Sequence, residues 1–325
     1  MTVSSFACAD LFLIHNQIGR LLIHNLCLIA SYSRDEDEEE RVYKYKELIS
    51  AANNFSGGDK TKEISEQLIL TMKPFEMLTP SRGAEKAKGL CALGIMTKAP
   101  EPGKVKTRLT PPLTPEESAK LNICFLRDLS SSIAKASEIA PARGVGIYTP
   151  VGSEAVYENI LPCDFGLLPQ RGEGFGERLT KAVEDLLAIG FQSVCLINSD
   201  SPTVLPSTFA EAAGQLSKPG DRIVLGPSDD GGYYLIGLKK LHRAVFEQID
   251  WSTERVFEQT ITRASEVGVD VHQLARGFDV DDRGTLQRLC DELLGSDARL
   301  EVASHTREFL SELVNREGRG RIWPK

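Results

Sequence analysis

The sequence predicts an α/β fold, a three-layer α/β/α sandwich around a mostly parallel sheet. Three observations carry that prediction. From Leu90 onward, short apolar runs alternate with longer segments of helical periodicity. One run, Val194-Cys195-Leu196-Ile197, is apolar without a break, the pattern of a strand buried on both faces. The 325 residues are 41% hydrophobic and 26% charged, enough apolar material for a full-sized core.

The elements follow in order. Leu90 to Met96 reads as the first strand. Thr114-Pro115-Glu116-Glu117 opens a helix, with Thr114 as N-cap, Pro115 in the first turn and Glu117 completing a capping box. Gly144 to Tyr148 and Phe165 to Leu168 are the second and third strands. A helix from about Gly176 keeps Leu179, Ala182, Val183, Leu186 and Leu187 on one face. After the strand at 194–197, further strands are expected at Arg222 to Leu225, Tyr233 to Leu238 and Val269 to Leu274. A helix near Thr253 to Val267 and two C-terminal helices complete the domain.

The first part of the chain is of another kind. Leu11 to Ala30 is its most apolar stretch, but His15, Asn16, Gln17, Arg20, His24 and Asn25 interrupt it. That is too polar for a spanning helix, and Asp10 stands where a secretory leader would carry Lys or Arg. Two readings remain, an interfacial or partner-binding helix and a loosely ordered extension. The acidic run Asp35 to Glu40 and the Gly- and Pro-containing sequence beyond it favour solvated chain. The expected division is a poorly structured extension at 1–88 and a folded domain at 89–325.

Composition excludes several classes. The net charge of −8 argues against a nucleic-acid-binding surface. Seven cysteines without a C-x-x-C pair read as free thiols in a reducing, cytoplasmic setting. No H-E-x-x-H stands among the five histidines, which removes zincin chemistry. Membrane association is not expected.

In an open α/β sheet, ligands bind beyond the carboxyl ends of the strands, and chemistry-bearing residues recur there. After the first strand, Lys98, Lys104, Lys106 and Arg108 lie on a loop stiffened by Pro102 and Gly103, suited to a di- or triphosphate or simply solvated. It is not a Walker loop. Gly174, Gly176 and Arg178 lead into a helix whose N-terminus favours anions, although an ordinary loop reads the same way. Asp200 follows the most apolar strand, placed to hold Mg²⁺ or Mn²⁺ or to cap the next turn. Asp229 and Asp230 beside Gly231 and Gly232 suit a substrate pocket, or a plain Asp-Gly turn. Asp279 and Asp281, after the last strand, offer a second source of carboxylates or a solvated acidic turn.

Taken together, K-A-P-E-P-G-K-V-K-T-R-L at 98–109, G-F-G-E-R-L, S-D-S-P, G-P-S-D-D-G-G-Y-Y-L-I-G-L at 226–238 and I-D-W-S-T at 249–253 resemble a known family. It is the GT-A-type transferase family called selenodomain-associated transferase 1, related to nucleotide-diphospho-sugar transferases and to the guanylyltransferases of cofactor biosynthesis. The resemblance runs over about residues 90–295. It implies a GT-A-like nucleotide-diphospho-sugar transferase fold, a nucleotide on the first loop and a divalent metal on Asp200. It also implies a second metal contact from Asp279 and Asp281. There are two departures from the family's pattern: Ser201 replaces a usual cysteine, and D-V-D-D-R-G-T-L replaces D-V-D-T-P-E-D-L.

The function expected is a metal-dependent glycosyltransferase using a nucleotide sugar and a small-molecule acceptor, with Mg²⁺ or Mn²⁺ as cofactor and Asp230 and Asp229 as catalytic candidates. A nucleotidyltransferase of the cofactor-guanylyltransferase type, taking a nucleoside triphosphate, is the alternative from the same chemistry. A non-catalytic nucleotide-binding protein is the third reading.

Overall fold

The structure is a computed structural model and describes residues 75–81, 87–296, 298–299 and 301–322. The expectations for the apolar run at 11–30 and the acidic block at 35–40 lie outside the described residues. Among the described residues, eight strands form one sheet: β1 (Glu76–Met77), β2 (Cys91–Lys98), β3 (Ala142–Thr149), β4 (Gly166–Pro169), β5 (Ser193–Ile197), β6 (Arg222–Pro227), β7 (Tyr233–Leu238) and β8 (Asp270–Gln273). Their order is β1-β4-β3-β2-β5-β7-β6-β8. Every neighbouring pair is parallel except those made by β7, which runs antiparallel to both β5 and β6. The cause is local. Only Ser228 to Gly232 separates β6 from β7, too short a connection for a parallel crossover.

The helices are α1 (Pro115–Ile139), α2 (Phe175–Ile189), α3 (Pro206–Ser217), α4 (Val256–Glu266), α5 (Arg283–Leu294), α6 (Ser304–Glu317) and the short α7 (Arg319–Ile322). Side-chain alternation along the central strands decides which helices cover which face. Leu93 and Ile95 of β2, with Cys195 and Ile197 of β5, pack in one cluster with Leu129 and Ile133 of α1 and Phe209 and Leu216 of α3. Ala92, Val194 and Leu196 point the other way, to Leu179, Val183 and Leu186 of α2 and Phe257 of α4. That is the three-layer sandwich, and it explains why β5 reads as continuously apolar. A third cluster joins Leu121 and Phe125 of α1 to Leu286 and Leu289 of α5 and Leu310 of α6.

The capping box expected at Thr114 is present: Glu117 N donates to Thr114 Oγ1 at 3.2 Å and Thr114 N to Glu117 Oε2 at 2.9 Å. α3 is not among the expected elements. Its buried face is carried by Ala210, Ala212 and Ala213 beside Phe209 and Leu216, a weak periodic signal because alanine is neutral to the pattern. The expected boundary at 88/89 also needs correction. Glu76 and Met77 pair with Gly166 and Leu167 at the sheet edge, and Leu78 is 2% exposed. Leu78 fits because Gly166 has no Cβ; one built there would stand 2.6 Å from Leu78 Cδ1. A single buried leucine within polar sequence gives no periodicity to read.

Candidate active site

The connection after β2 folds back toward the end of β5. Lys106 takes a left-handed backbone (φ 49°, ψ 37°), uncommon for a residue with a Cβ, and the turn aims its side chain inward. Only 5% of that side chain is exposed. Its ammonium Nζ lies 2.5 Å from Asp200 Oδ1 and 3.2 Å from Asp281 Oδ1, and donates to the Val280 carbonyl at 2.8 Å. The Phe125 ring lies 5.2 Å away and closes the apolar side. Arg108, 72% exposed, donates through Nη2 to Asp281 Oδ2 at 2.7 Å. Two cations of the basic loop and two of the expected metal ligands thus form one cluster.

Asp200 stands three residues beyond the end of β5, and its carbonyl accepts from Val280 N at 2.9 Å. That bond fastens the 279–281 segment to the end of β5. On the C-terminal side, Asp282 caps α5 by accepting from Thr285 N at 2.8 Å, and Asp281 N donates to Thr285 Oγ1 at 3.0 Å. Thr285 is one of the departures from the family's pattern, and here it completes the turn. Asp279 faces inward. It accepts from Asn198 Nδ2 at 2.8 Å and Ser201 Oγ at 2.5 Å through the same oxygen, Oδ1. Burial, with the nearby charges of Asp200 and Asp230, raises its carboxyl to about 6 even though those two hydrogen bonds act in the opposite sense.

The β6–β7 turn projects beside this cluster. Gly231 has φ +86°, and a Cβ there would stand 2.2 Å from the Glu254 carbonyl oxygen, so the turn needs glycine on two counts. Asp230 Oδ1 accepts from Gly232 N at 2.9 Å, and both acids of the turn are exposed. Asp229 is committed elsewhere: its Oδ2 meets Arg288 Nη1 of α5 at 2.6 Å. That ion pair engages Asp229, whereas Asp230, the other acid of the expected catalytic pair, bonds Gly232 N of its own turn.

The remaining expected residues divide. Lys98 and Lys104 are exposed, and Lys104 pairs with Glu101 at 2.7 Å. Pro102 and Gly103 are also exposed, Gly103 with φ +73°. These four share the loop with Lys106 but not its contacts. Gly174 caps α2 without a side-chain hydrogen bond, and Gly176 is buried. A Cβ on Gly176 would come 2.7 Å from Trp251 Nε1, so this glycine serves close packing. Trp251 also meets the Phe175 ring edge-on, with centroids 5.0 Å apart. Arg178 Nε is buried without a partner among the described residues. The glycine-rich turn thus lies at the same carboxyl edge of the sheet, held by the I-D-W-S-T segment rather than by the carboxylate cluster.

Among the described residues, no three His, Cys, Asp or Glu side chains converge to hold a metal ion. Two carboxylates do meet at one point. Asp200 Oδ1 and Asp281 Oδ1 both face the position of the Lys106 ammonium, so this pair fits a cation, whereas Asp279 Oδ1 is already engaged by Asn198 and Ser201. Sequence reasoning missed Arg288 and Arg276, which reach the hairpin from 59 and 48 residues away. Only the fold brings them there; neither sits in a local motif.

Sheet order, helix layers and the position of this edge define the GT-A-like nucleotide-diphospho-sugar transferase fold. Residues 133–253 match the family described as "Uncharacterized protein conserved in bacteria (DUF2064)". A protein from Desulfovibrio desulfuricans G20, provisionally assigned as a nucleotide-diphospho-sugar transferase, is similar at 26% identity. The match covers 70% of this chain and 97% of that one, with a TM-score of 0.62. These two findings bear out the resemblance read from the motifs. A nucleotidyl transferase from Methanothermobacter matches at 13% identity over 64% of this chain and all of its own, with a TM-score of 0.46. No curated relative matches the chain by sequence.

Proposed function

We propose that the chain is a nucleotide-dependent transferase, and more specifically a metal-dependent glycosyltransferase that takes a nucleotide-diphospho-sugar donor. One observation carries this reading: the basic loop, Asp200 and Asp281 converge at the carboxyl edge of a fold shared with the Desulfovibrio protein. Asp200 and Asp281 are the residues that would hold Mg²⁺ or Mn²⁺. A bound divalent ion would neutralise the diphosphate as it leaves.

The chain's own residues account for the rest. Arg108, 72% exposed, supplies a fork for phosphate oxygens, while Lys106, whose ammonium stands between Asp200 and Asp281, would yield that point to the ion and turn its point charge to the same oxygens. The acceptor hydroxyl oxygen attacks the anomeric carbon of the donor. The bond from that carbon to the diphosphate oxygen breaks, and its electron pair leaves with the nucleoside diphosphate. Asp230, exposed on its turn and oriented by Gly232 N, is the base that takes the hydroxyl proton. Asp229, paired with Arg288, keeps the turn in place.

The experiment is product analysis of the full chain with Mg²⁺, a panel of nucleotide sugars and a panel of nucleoside triphosphates. Release of nucleoside diphosphate is the expected outcome. Pyrophosphate instead would replace glycosyl by nucleotidyl transfer, and neither product in any combination would overturn the enzyme reading.

A further inference from the structure

Beside the carboxylate cluster lies a cavity of about 430 Å³, within the range of small-molecule sites. Its walls continue the segments that carry the acids. Thr203 and Leu205 follow Asp200, Phe278 immediately precedes Asp279, and Arg288 is the residue bound to Asp229. Three arginines, Arg276, Arg288 and Arg299, line it with a single acid, Glu292. A concave surface with excess positive charge is notable in a chain of net charge −8.

Two of the arginines are aimed and keep donors to spare. Arg276 Nη1 donates to the Ser228 carbonyl at 3.1 Å, and Arg288 Nη1 to Asp229 at 2.6 Å. Each guanidinium has five N–H donors, so one such bond fixes its direction and leaves others for a ligand. Arg288 also lies 3.9 Å from the centroid of the Phe278 ring, which holds its plane. The remainder of the wall, including Leu205, Phe278 and the buried Tyr234, is largely apolar or aromatic. Glu292 is partly desolvated, which raises its carboxyl, while Arg288 and Arg299 oppose that rise.

We propose that this cavity is the acceptor site of the transferase and that the acceptor is a small amphipathic anion, a carboxylate or phosphate group on an apolar body. The proposal rests on the transferase reading for the word acceptor, and on the cavity alone for the anion. Arg276 and Arg299 receive the charged end, and Leu205 and Phe278 the apolar body. The cavity meets the β6–β7 turn through Arg276 and Arg288, which line it and bond the Ser228 carbonyl and Asp229.

The test uses the full chain and 1-anilinonaphthalene-8-sulfonate, a fluorescent amphipathic anion, as the probe. One saturable site is expected, with affinity falling at least tenfold in Arg276→Gln and in Arg299→Gln and recovering in part in Arg299→Lys. Both arginines are exposed, so the variants should unfold cooperatively as the parent does. Phenyl phosphate and phenylacetate should displace the probe, and the stronger competitor identifies the anion class; benzyl alcohol should not. Unchanged affinity in both Gln variants, or equal displacement by benzyl alcohol, would overturn the proposal. Nucleotide affinity is measured separately by equilibrium dialysis. Its absence in the parent would remove the transferase reading while arginine-dependent probe binding still upheld the anion site.

Discussion

Lys106 and Arg108 stand two positions apart and both face Asp281, yet they should behave differently when removed. The Lys106 side chain is 5% exposed and joins two carboxylates and a carbonyl; the Arg108 side chain is 72% exposed. Lys106→Met leaves Asp200 and Asp281 facing one another without their shared cation. A loss of about 2–3 kcal/mol in urea unfolding is expected, below the usual cost of breaking a fully buried pair because both acids are partly solvated. Arg108→Ala should change stability by less than about 0.5 kcal/mol and instead weaken nucleotide binding. Equal losses from the two variants would show that burial does not set the difference. At this scale the sequence was informative about residue type and not about partner. Four cations on one loop were legible, but which one turns inward depends on the left-handed turn at Lys106, which no local pattern announces.

Among the elements, α6 shows how a helix can be capped from outside its own segment. Its N-cap residue, Ala303, offers no side-chain acceptor. Asp128 of α1 supplies one: its carboxylate accepts from His305 N at 3.0 Å, Thr306 N at 2.9 Å and His305 Nδ1 at 2.9 Å. Asp128 is 4% exposed, so the bonds are made out of water. Asp128→Ala should cost about 2–4 kcal/mol and lower the midpoint of thermal unfolding, with α6 losing amide protection before the sheet. Uniform protection across α6 and the sheet would contradict that assignment. Elements with strong local signals were legible: the box at Thr114, the unbroken β5, the amphipathic α2. α3 was not, because its face is built from alanines, and the antiparallel direction of β7 follows from a turn whose Asp-Gly sequence also fits a substrate pocket. Asp128 on a long amphipathic helix reads as a solvated position until α6 packs against it.

For the whole molecule, the domain should need residues before the expected boundary at 88. A chain beginning at residue 73 retains β1 and Leu78, whereas one beginning at 89 uncovers β4 and empties the space Leu78 fills beside Gly166. The longer chain should be more stable by about 2–5 kcal/mol, the usual cost of losing a buried leucine; identical unfolding curves would place the boundary at 88 after all. The carboxyl edge of the sheet was the most legible feature of the molecule, since apolar runs mark strand ends and the motifs follow them. The way its parts join was not, because Lys106 meets Asp281 across 175 residues and Arg288 meets Asp229 across 59. Asp200, held against Lys106 at this edge, is proposed to belong to a metal-assisted nucleotide site. The most direct measurement is a Mn²⁺ titration of nucleotide binding in the parent and in Asp200→Asn, which keeps an oxygen for Lys106 and removes the charge. The variant should fold and need at least tenfold more Mn²⁺ for half-maximal binding, because a neutral amide is a poorer ligand for a hard cation. Superimposable titration curves would contradict it.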